Sequence, residues 1–109
     1  HDAKATYCYV RPAQADTTIG LAIGLPAHPA YPSNHTAASV AAARVLGALF
    51  PADAARLDAL AAEAGLSRLY GGIHYRFDVD AGAALGEAVA HATLVLGRGA
   101  GVAALAAGR

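Results

Sequence analysis

Apolar side chains recur along most of this chain at the three- and four-residue spacing of a helix, and no useful stretch alternates as a strand does. The predicted helices cover residues 2–10, 36–50, 52–64 and 74–97. Pro12 is expected to stop the first helix, Ser33 to cap the second, Pro51 to close it and Gly65 to end the third. The pattern therefore predicts an all-α fold, most simply a helix bundle.

Two faces of the last predicted helix differ in side-chain size. Its apolar stripe, which we expect to face the core, consists of Leu85, Ala88, Val89, Ala92, Val95 and Leu96. The small residues Gly82, Gly86 and Ala90 form a second stripe at a spacing of four. Small side chains let another helix approach closely, so this stripe predicts a tight contact with the helix that bears Lys4 or the one that bears His35.

The segments between the helices are rich in glycine and proline. Residues 13–31 are predicted as a long loop, and a loop of that length in a compact domain usually has a functional role. Gly71-Gly72 is predicted as a turn. The chain ends in a Gly- and Ala-rich tail that we expect to fray. The whole chain, residues 1–109, is expected to form one helical domain.

Composition excludes several classes of protein. The chain is 56% hydrophobic and 15% charged with a formal net charge of zero, which argues against disorder, nucleic-acid binding and a polybasic membrane surface. Its one cysteine, Cys8, is predicted to be a small buried thiol. No apolar stretch reads as a convincing membrane span, since spans need about 20 mostly apolar residues. We expect a soluble protein. Its location stays open, and the bacterial periplasm and secretion are two alternatives.

Lys4 and Arg11 are the first candidates for chemistry. On a continuous helix a separation of seven residues is two turns, so both cationic groups would project from one face. Two cations on one face repel each other unless an anion lies between them. The alternative is a solvated basic face.

Pro32-Ser33-Asn34-His35 is the second candidate. The free N–H groups at the start of a helix bind anions, the Ser33 hydroxyl can donate to an anion oxygen, and His35 can supply a proton beside it. The alternative is an ordinary N-cap followed by an exposed histidine.

The third candidate is the stretch from Ser67 to Asp78. Asp78 follows His74 by four residues, so on a helix its carboxylate can accept the Nδ1–H of His74 and leave Nε2 as a nucleophile. Arg68 can offer two parallel N–H groups to an oxyanion. A pair of this spacing is more often incidental than catalytic when it stands alone.

Together the three segments resemble the signature of the type 2 phosphatidic acid phosphatase superfamily, which includes bacterial class A acid phosphatases and vanadium-dependent haloperoxidases. That signature reads Lys-x6-Arg-Pro, Pro-Ser-Gly-His and Ser-Arg-x5-His-x3-Asp, and here it spans Lys4–Pro12, Pro32–His35 and Ser67–Asp78. The resemblance covers residues 2 to about 97. Asn34 stands where the family has glycine, so the amide side chain itself has no role carried over, whereas its backbone N–H can still face an anion.

The resemblance implies a helix bundle of the acid phosphatase/haloperoxidase type whose N-terminal helices are incomplete in this chain. It also implies a role for each residue of the site. The match to His74 attacks phosphorus, and the match to Asp78 orients it. The match to His35 protonates the leaving group. The matches to Lys4, Arg11, Ser33, Asn34 and Arg68 bind the phosphate.

Three functions stay open, the first two from this resemblance and the third from the missing upstream helices and the small core. The first is a hydrolase of small phosphate esters that works through a phosphohistidine and needs no cofactor. The second is a haloperoxidase that binds vanadate, bonded to His74, and uses peroxide and halide. The third is a non-catalytic module that binds anions or another chain. A homo-oligomer and missing upstream helices are the two expectations for what completes the fold.

Overall fold

A computed structural model describes residues 2–99 of the chain. Its helices are α1 Asp2–Tyr7, α2 Pro12–Ala15, α3 Asn34–Leu49, α4 Ala54–Tyr70 and α5 Arg76–Gly99, with a 3-10 turn at Pro51–Asp53. No strand occurs within residues 2–99, so the all-α prediction is confirmed. The tail from residue 100 onward, predicted to fray, lies outside the described residues.

The start and end of α3 follow the sequence signals. The Ser33 hydroxyl accepts a hydrogen bond from the Thr36 N–H at 3.3 Å and so satisfies one of the free donors of the first turn. Phe50 is the C-cap, and Pro51 begins the 3-10 turn after it. The prediction for this helix is confirmed to within two residues.

The third predicted helix is longer than expected. Gly65 does not end it, because α4 continues to Tyr70. A Cβ at Gly65 would lie 3.1 Å from Val79 Cγ1 and 3.3 Å from Thr36 Cγ2, so this glycine serves helix packing rather than termination. The turn comes later, at Gly71-Gly72 as predicted, where Gly72 has a φ of +76° that glycine adopts without a Cβ penalty.

The first predicted helix is wrong in its second half. α1 ends at Tyr7, and Cys8 has a φ of +45°, which interrupts the helix. Pro12 does not terminate a helix but begins α2, the position at which proline fits best. The prediction that Cys8 is buried is also wrong, because the thiol lies in the exposed break between the two helices.

α3 lies between α4 and α5, which contact each other only slightly. The close contact between α3 and α5 is formed by the predicted stripe of small residues. A Cβ at Gly82 would approach the Ser33 carbonyl oxygen to 2.5 Å, and one at Gly86 would approach that of Ala37 to 2.6 Å. The stripe therefore packs against the helix that bears His35, one of the two partners expected for it.

The apolar stripe predicted for the last helix is not its buried face. Leu85 is 43% exposed, Val89 48% and Leu96 74%, whereas Gly82, Gly86 and Ala90 are buried. The smaller residues are buried because only they allow the two backbones to approach. Within residues 2–99, α5 is the one helix whose length and hydropathy would suffice for a membrane crossing.

The interior of the described fold is small and partly polar. Its buried hydrophobic residues are Ala30, Ala43, Ala61, Ile73 and Ala90, whereas the largest side chains with almost no exposure are Arg11, Asp78 and Ser33. Buried charges are rarely tolerated unless they are paired. The polar interior therefore contains the candidate site.

Candidate functional site

His74 and Asp78 form a buried pair at the start of α5. His74 lies two residues before the helix and Asp78 lies in its first turn. The His74 Nδ1 is 3.0 Å from Asp78 Oδ2, which also accepts the Tyr75 N–H at 2.9 Å. The predicted contact is present, but the chain bends into the helix between the two residues rather than carrying both on it.

The partners of His74 determine where its ring proton lies. Its Nε2 is 3.1 Å from the Arg11 Nη1, and a guanidinium can only donate. Nε2 must therefore accept, so Nδ1 carries the proton and donates it to Asp78. Burial lowers the pKa of His74 against the opposing effect of the Asp78 hydrogen bond, and the Arg11 charge lowers it further. His74 is therefore held as a neutral imidazole with its lone pair on Nε2.

Arg11 is 1% exposed, and most of its hydrogen bonds go to backbone oxygens. Its Nε and Nη2 donate to the His28 carbonyl at 3.2 and 3.0 Å, and its Nη1 donates to the Ile73 carbonyl at 2.8 Å. The Gln14 side chain accepts the Arg11 backbone N–H at 2.8 Å at the start of α2. Burial lowers the pKa of Arg11, whereas the nearby Asp78 carboxylate raises it.

Lys4 is also buried, and its ammonium group is fully hydrogen-bonded. Its Nζ donates to the carbonyl oxygens of Pro29, Ala30 and Pro32 at 2.8, 3.1 and 2.7 Å. Burial and the Arg11 charge lower the pKa of Lys4, while Asp78 raises it. An ammonium has three N–H donors, so each of them already has a backbone acceptor.

Lys4 and Arg11 do come together, but not by the predicted route. They lie on opposite sides of the break at Cys8, not on one face of a continuous helix. The loop before α3 brings them together, because both side chains donate to its carbonyl oxygens, with Pro29 O within reach of each. The prediction of one helical face is therefore wrong, although the prediction that the two cations are neighbours is supported by the charge effect of Arg11 on Lys4.

Ser33 joins the start of α3 to the start of α5. Its N–H donates to the Asp78 carbonyl oxygen at 2.9 Å, and its hydroxyl accepts from the Thr36 hydroxyl at 3.0 Å. The Ser33 hydroxyl proton has no acceptor among the hydrogen bonds of residues 2–99. Asn34 is exposed, and its amide group makes no hydrogen bond within the same part of the chain.

His35 and Arg68 form the accessible part of the site. His35 is exposed at the first turn of α3. Partial burial lowers its pKa, and the positive charge of Arg68 lowers it further, which places the two side chains near each other. Arg68 donates through Nε to the Ser67 hydroxyl at 3.1 Å. Its two terminal nitrogens have no partner within the described residues, so they remain free to bind an anion.

The turn between α4 and α5 links the buried and accessible parts. The Arg68 carbonyl accepts the Ile73 N–H at 3.3 Å, and the Ile73 carbonyl accepts Arg11 Nη1. His74 follows directly. The structure thus joins Arg11, His74 and Asp78 by direct side-chain contacts and brings the Lys4 charge close to them. His35, Asn34 and Arg68 make no hydrogen bond to these residues within the described part of the chain.

Sequence reasoning missed His28 and the carbonyl oxygens of its loop. The His28 Nδ1 lies 3.1 Å from Arg11 Nη2, next to the carbonyls that hold both cations. Every residue has a carbonyl oxygen, so no sequence pattern could identify these acceptors. The signal for His28 was its place five residues before Ser33, in the loop expected to have a function.

An aromatic cluster lies beside His74. Tyr75 stacks on Phe77 with ring centroids 5.0 Å apart, and Tyr9 packs edge-on to Phe77 at 5.1 Å. Tyr31 and Tyr7 extend the cluster along the surface. Burial and the nearby Tyr9 and Asp78 raise the pKa of Tyr75. These rings supply an apolar surface next to the polar interior.

The charges of the site suit a doubly charged oxyanion. Three cations, Lys4, Arg11 and Arg68, stand against one carboxylate, Asp78, which leaves two positive charges around a neutral nucleophilic imidazole. An exposed second imidazole, His35, lies near the free guanidinium. Such a set can bind a tetrahedral oxyanion, attack its centre and exchange protons with its leaving group.

Comparison with protein families gives one match. Residues 1–100 match the model of the PAP2 superfamily. A search of curated proteins finds no match. The family match covers nearly the whole chain and all three segments that carry the candidate residues.

Proposed function

Because the chain belongs to the PAP2 superfamily, we propose that it hydrolyses small phosphate esters through a phosphohistidine at His74. Superfamily membership supports a function related to phosphatases or haloperoxidases. The hydrolysis of phosphate esters and the roles of individual residues are our proposal.

The observation that carries this proposal is the state of His74. Its Nδ1–H is held by Asp78 at 3.0 Å and its Nε2 must be unprotonated, because it accepts from Arg11. A nucleophilic imidazole needs an unprotonated ring nitrogen and a fixed orientation. Both requirements are met by contacts that do not depend on a ligand.

The reaction has two balanced steps. In the first, His74 Nε2 forms a bond to phosphorus, the bond from phosphorus to the ester oxygen breaks, and His35 donates a proton to the departing oxygen. In the second, His35 takes a proton from water, the water oxygen bonds to phosphorus, and the bond from phosphorus to His74 breaks. Asp78 stabilises the ring while it carries positive charge.

The three cations would stabilise the charge on the transferring group. Arg68 can bind oxygens directly with its free terminal nitrogens. Lys4 and Arg11 already donate to backbone oxygens, so they either act through their charge or exchange one acceptor for a phosphate oxygen. The contact between Arg11 and His74 Nε2 must be given up when Nε2 attacks.

The phosphatase needs no cofactor in this proposal. Vanadate is a tetrahedral oxyanion like phosphate, so the same cations and His74 would hold it, and it would supply peroxide activation when bound. We propose vanadate as an inhibitor of hydrolysis. Its role as a resident cofactor is the alternative that the same experiment tests.

The test is hydrolysis of 4-nitrophenyl phosphate by the purified protein. We expect turnover that vanadate inhibits and that His74→Ala removes, whereas His91→Gln, which changes an exposed imidazole on α5, leaves it unchanged. Vanadate that confers peroxide-dependent bromination of a dye, without any ester hydrolysis, would instead show a haloperoxidase. Folded protein with neither activity would favour a non-catalytic module.

A further inference from the structure

Arg11 lies between two imidazoles, of which the proposed reaction uses one. Its Nη1 is 3.1 Å from His74 Nε2 and its Nη2 is 3.1 Å from His28 Nδ1. His28 belongs to the loop whose carbonyl oxygens hold Lys4 and Arg11, and its side chain is exposed. The position of His28 gives it direct access to the guanidinium that the anion needs.

The Nδ1 of His28 has two partners that demand opposite states of that nitrogen. Arg11 Nη2 at 3.1 Å can only donate, so this contact requires an unprotonated Nδ1. The Pro29 carbonyl oxygen at 3.3 Å can only accept, so that contact requires an N–H at Nδ1. Nδ1 therefore accepts from Arg11 while it is unprotonated and donates to the Pro29 carbonyl once it carries a proton. A ring that is protonated on both nitrogens also repels Arg11 through its positive charge.

The other contacts of Arg11 are harder to exchange. They are made to the carbonyl oxygens of His28, Pro29 and Ile73 and to the buried His74. A backbone oxygen accepts at every pH. The His28 imidazole is exposed and accepts only while its Nδ1 is unprotonated, so it is the acceptor that Arg11 can lose without moving the backbone.

We propose that His28 is a positioning residue for Arg11: neutral His28 holds Nη2, and protonated His28 releases it to the oxyanion. This inference rests on the proposed function, because it assigns the oxyanion to the Arg11 side of the site. Once Nδ1 is protonated, it donates a hydrogen bond to the Pro29 carbonyl oxygen instead of accepting one from Arg11. The ring then also carries a positive charge. Oxyanion affinity therefore rises when His28 takes up a proton.

Several other groups titrate or carry charge around His28. Arg11 faces it directly, and Cys8 and Tyr9 line the same open cleft of about 310 Å³. His74 and Asp78 contact each other next to Arg11, and Lys4 donates to the Pro29 carbonyl oxygen that also lies near His28 and Arg11. His35 on α3 and Arg68 on α4 are the remaining charged or titratable groups of the candidate site. The experiment must therefore separate the titration of His28 from that of His35 and His74.

Nitrogen-15 NMR of the folded protein makes this separation without any enzymatic activity. The Arg11 Nε–H signal and the histidine ring signals are followed from pH 8 to pH 5. We expect the Arg11 signal to shift with the midpoint of His28 in the wild type and to lose that shift in His28→Gln, whose amide oxygen accepts at every pH. His91→Gln is the matched control and should leave the shift intact.

Sulfate binding measured by calorimetry supplies the second readout, because sulfate remains a dianion over this range. Wild-type affinity should rise roughly tenfold more between pH 8 and pH 5.5 than that of His28→Gln. The inference would be overturned if sulfate affinity depended on pH equally in the two proteins. It would also be overturned if the Arg11 signal showed no shift at the midpoint of His28. A coupled Arg11 signal in a protein that hydrolyses no ester would uphold it and refute the phosphatase proposal.

Discussion

The orientation of His74 depends on one carboxylate oxygen. Asp78 Oδ2 accepts both the ring Nδ1–H and the Tyr75 N–H, whereas its Oδ1 is buried without a hydrogen-bond partner among residues 2–99. In Asp78→Asn, an amide nitrogen placed toward the ring would favour the opposite tautomer. We expect kcat for 4-nitrophenyl phosphate to fall by a factor on the order of 10³ with a small change in KM.

The tautomer can be read directly from the nitrogen-15 shifts of His74. Wild-type protein should carry the proton on Nδ1, and Asp78→Asn should populate the Nε2–H form. Full activity in a folded Asp78→Asn protein would show that the carboxylate does not orient the nucleophile.

The pH dependence of catalysis follows from two histidines with lowered pKa values. His74 must be neutral to attack, and burial lowers its pKa, so it stays neutral at and above the usual histidine pKa of about 6.5. His35 must be protonated to donate, and burial and Arg68 lower its pKa, so it is charged only below about pH 6.5. Activity should therefore peak on the acid side of pH 6.5 and decline as the pH rises.

Initial rates at low substrate concentration give kcat/KM across the pH range. Use of the His28→Gln background leaves His35 as the group expected to control the alkaline limb. A maximum of kcat/KM above pH 7.5 would be incompatible with His35, whose pKa is lowered by burial and by Arg68, as the proton donor.

At the residue scale, the sequence predicted which residues belong to the candidate site better than it predicted what their side chains contact. The contact between His74 and Asp78 was anticipated because four residues separate them. The three hydrogen bonds from Lys4 to carbonyl oxygens were not anticipated, because every residue has such an acceptor and side-chain patterns do not indicate which ones are used. The burial of Cys8 was predicted wrongly because the first helix breaks there. The break has a positive φ, and no glycine marks it in the sequence.

At the scale of elements, the contact of α3 with α5 positions both histidines of the site. Gly86 lies where a Cβ would be 2.6 Å from the Ala37 carbonyl oxygen and 2.8 Å from Val40 Cβ. Gly86→Ala should therefore force the helices apart and lower the free energy of unfolding by about 1–3 kcal/mol. This loss exceeds the gain of up to about 1 kcal/mol from the better helix propensity of alanine.

Denaturant unfolding of paired variants measures this effect. Gly99→Ala is the control, since a Cβ there meets nothing within 4 Å, and it should be neutral or slightly stabilising. Equal stability of the Gly86 and Gly99 variants would mean that the close helix contact is not formed.

Helix ends were predictable where a capping side chain or proline marked them, as at Ser33 and Pro51. Gly65 misled because glycine has two uses, and here close packing against Val79 and Thr36 outweighs its tendency to end a helix. The buried face of α5 was misassigned because hydrophobicity was weighed without size. Leu85 and Val89 are more apolar than Gly82 and Gly86, but only the glycines fit against α3.

At the scale of the whole molecule, a charge network joins the three long helices. Arg44 on α3 contacts Asp58 on α4 at 2.6 Å and Glu87 on α5 at 2.7 Å. All three side chains are more than 40% exposed, so solvent screens the network. Arg44→Ala should lower the free energy of unfolding by no more than about 1 kcal/mol.

Thermal or denaturant unfolding at low and high salt measures this contribution. Arg56→Ala removes a longer and more exposed pair with Asp53, 3.7 Å apart, and should have no measurable effect. A loss above about 2 kcal/mol for Arg44→Ala would show that the network, rather than the helix contacts, holds the three helices together.

The proposal of a phosphohistidine at His74 is tested most directly by identifying the residue that carries the phosphoryl group during turnover. Protein mixed with 4-nitrophenyl phosphate is quenched in alkali, where phosphohistidine survives, and digested for mass spectrometry. We expect a phosphoryl group on His74 that is absent in His74→Ala and longer-lived when His35 is replaced by glutamine. Turnover with no phosphorylated His74, or with the phosphoryl group on another residue, would rule out His74 as the nucleophile.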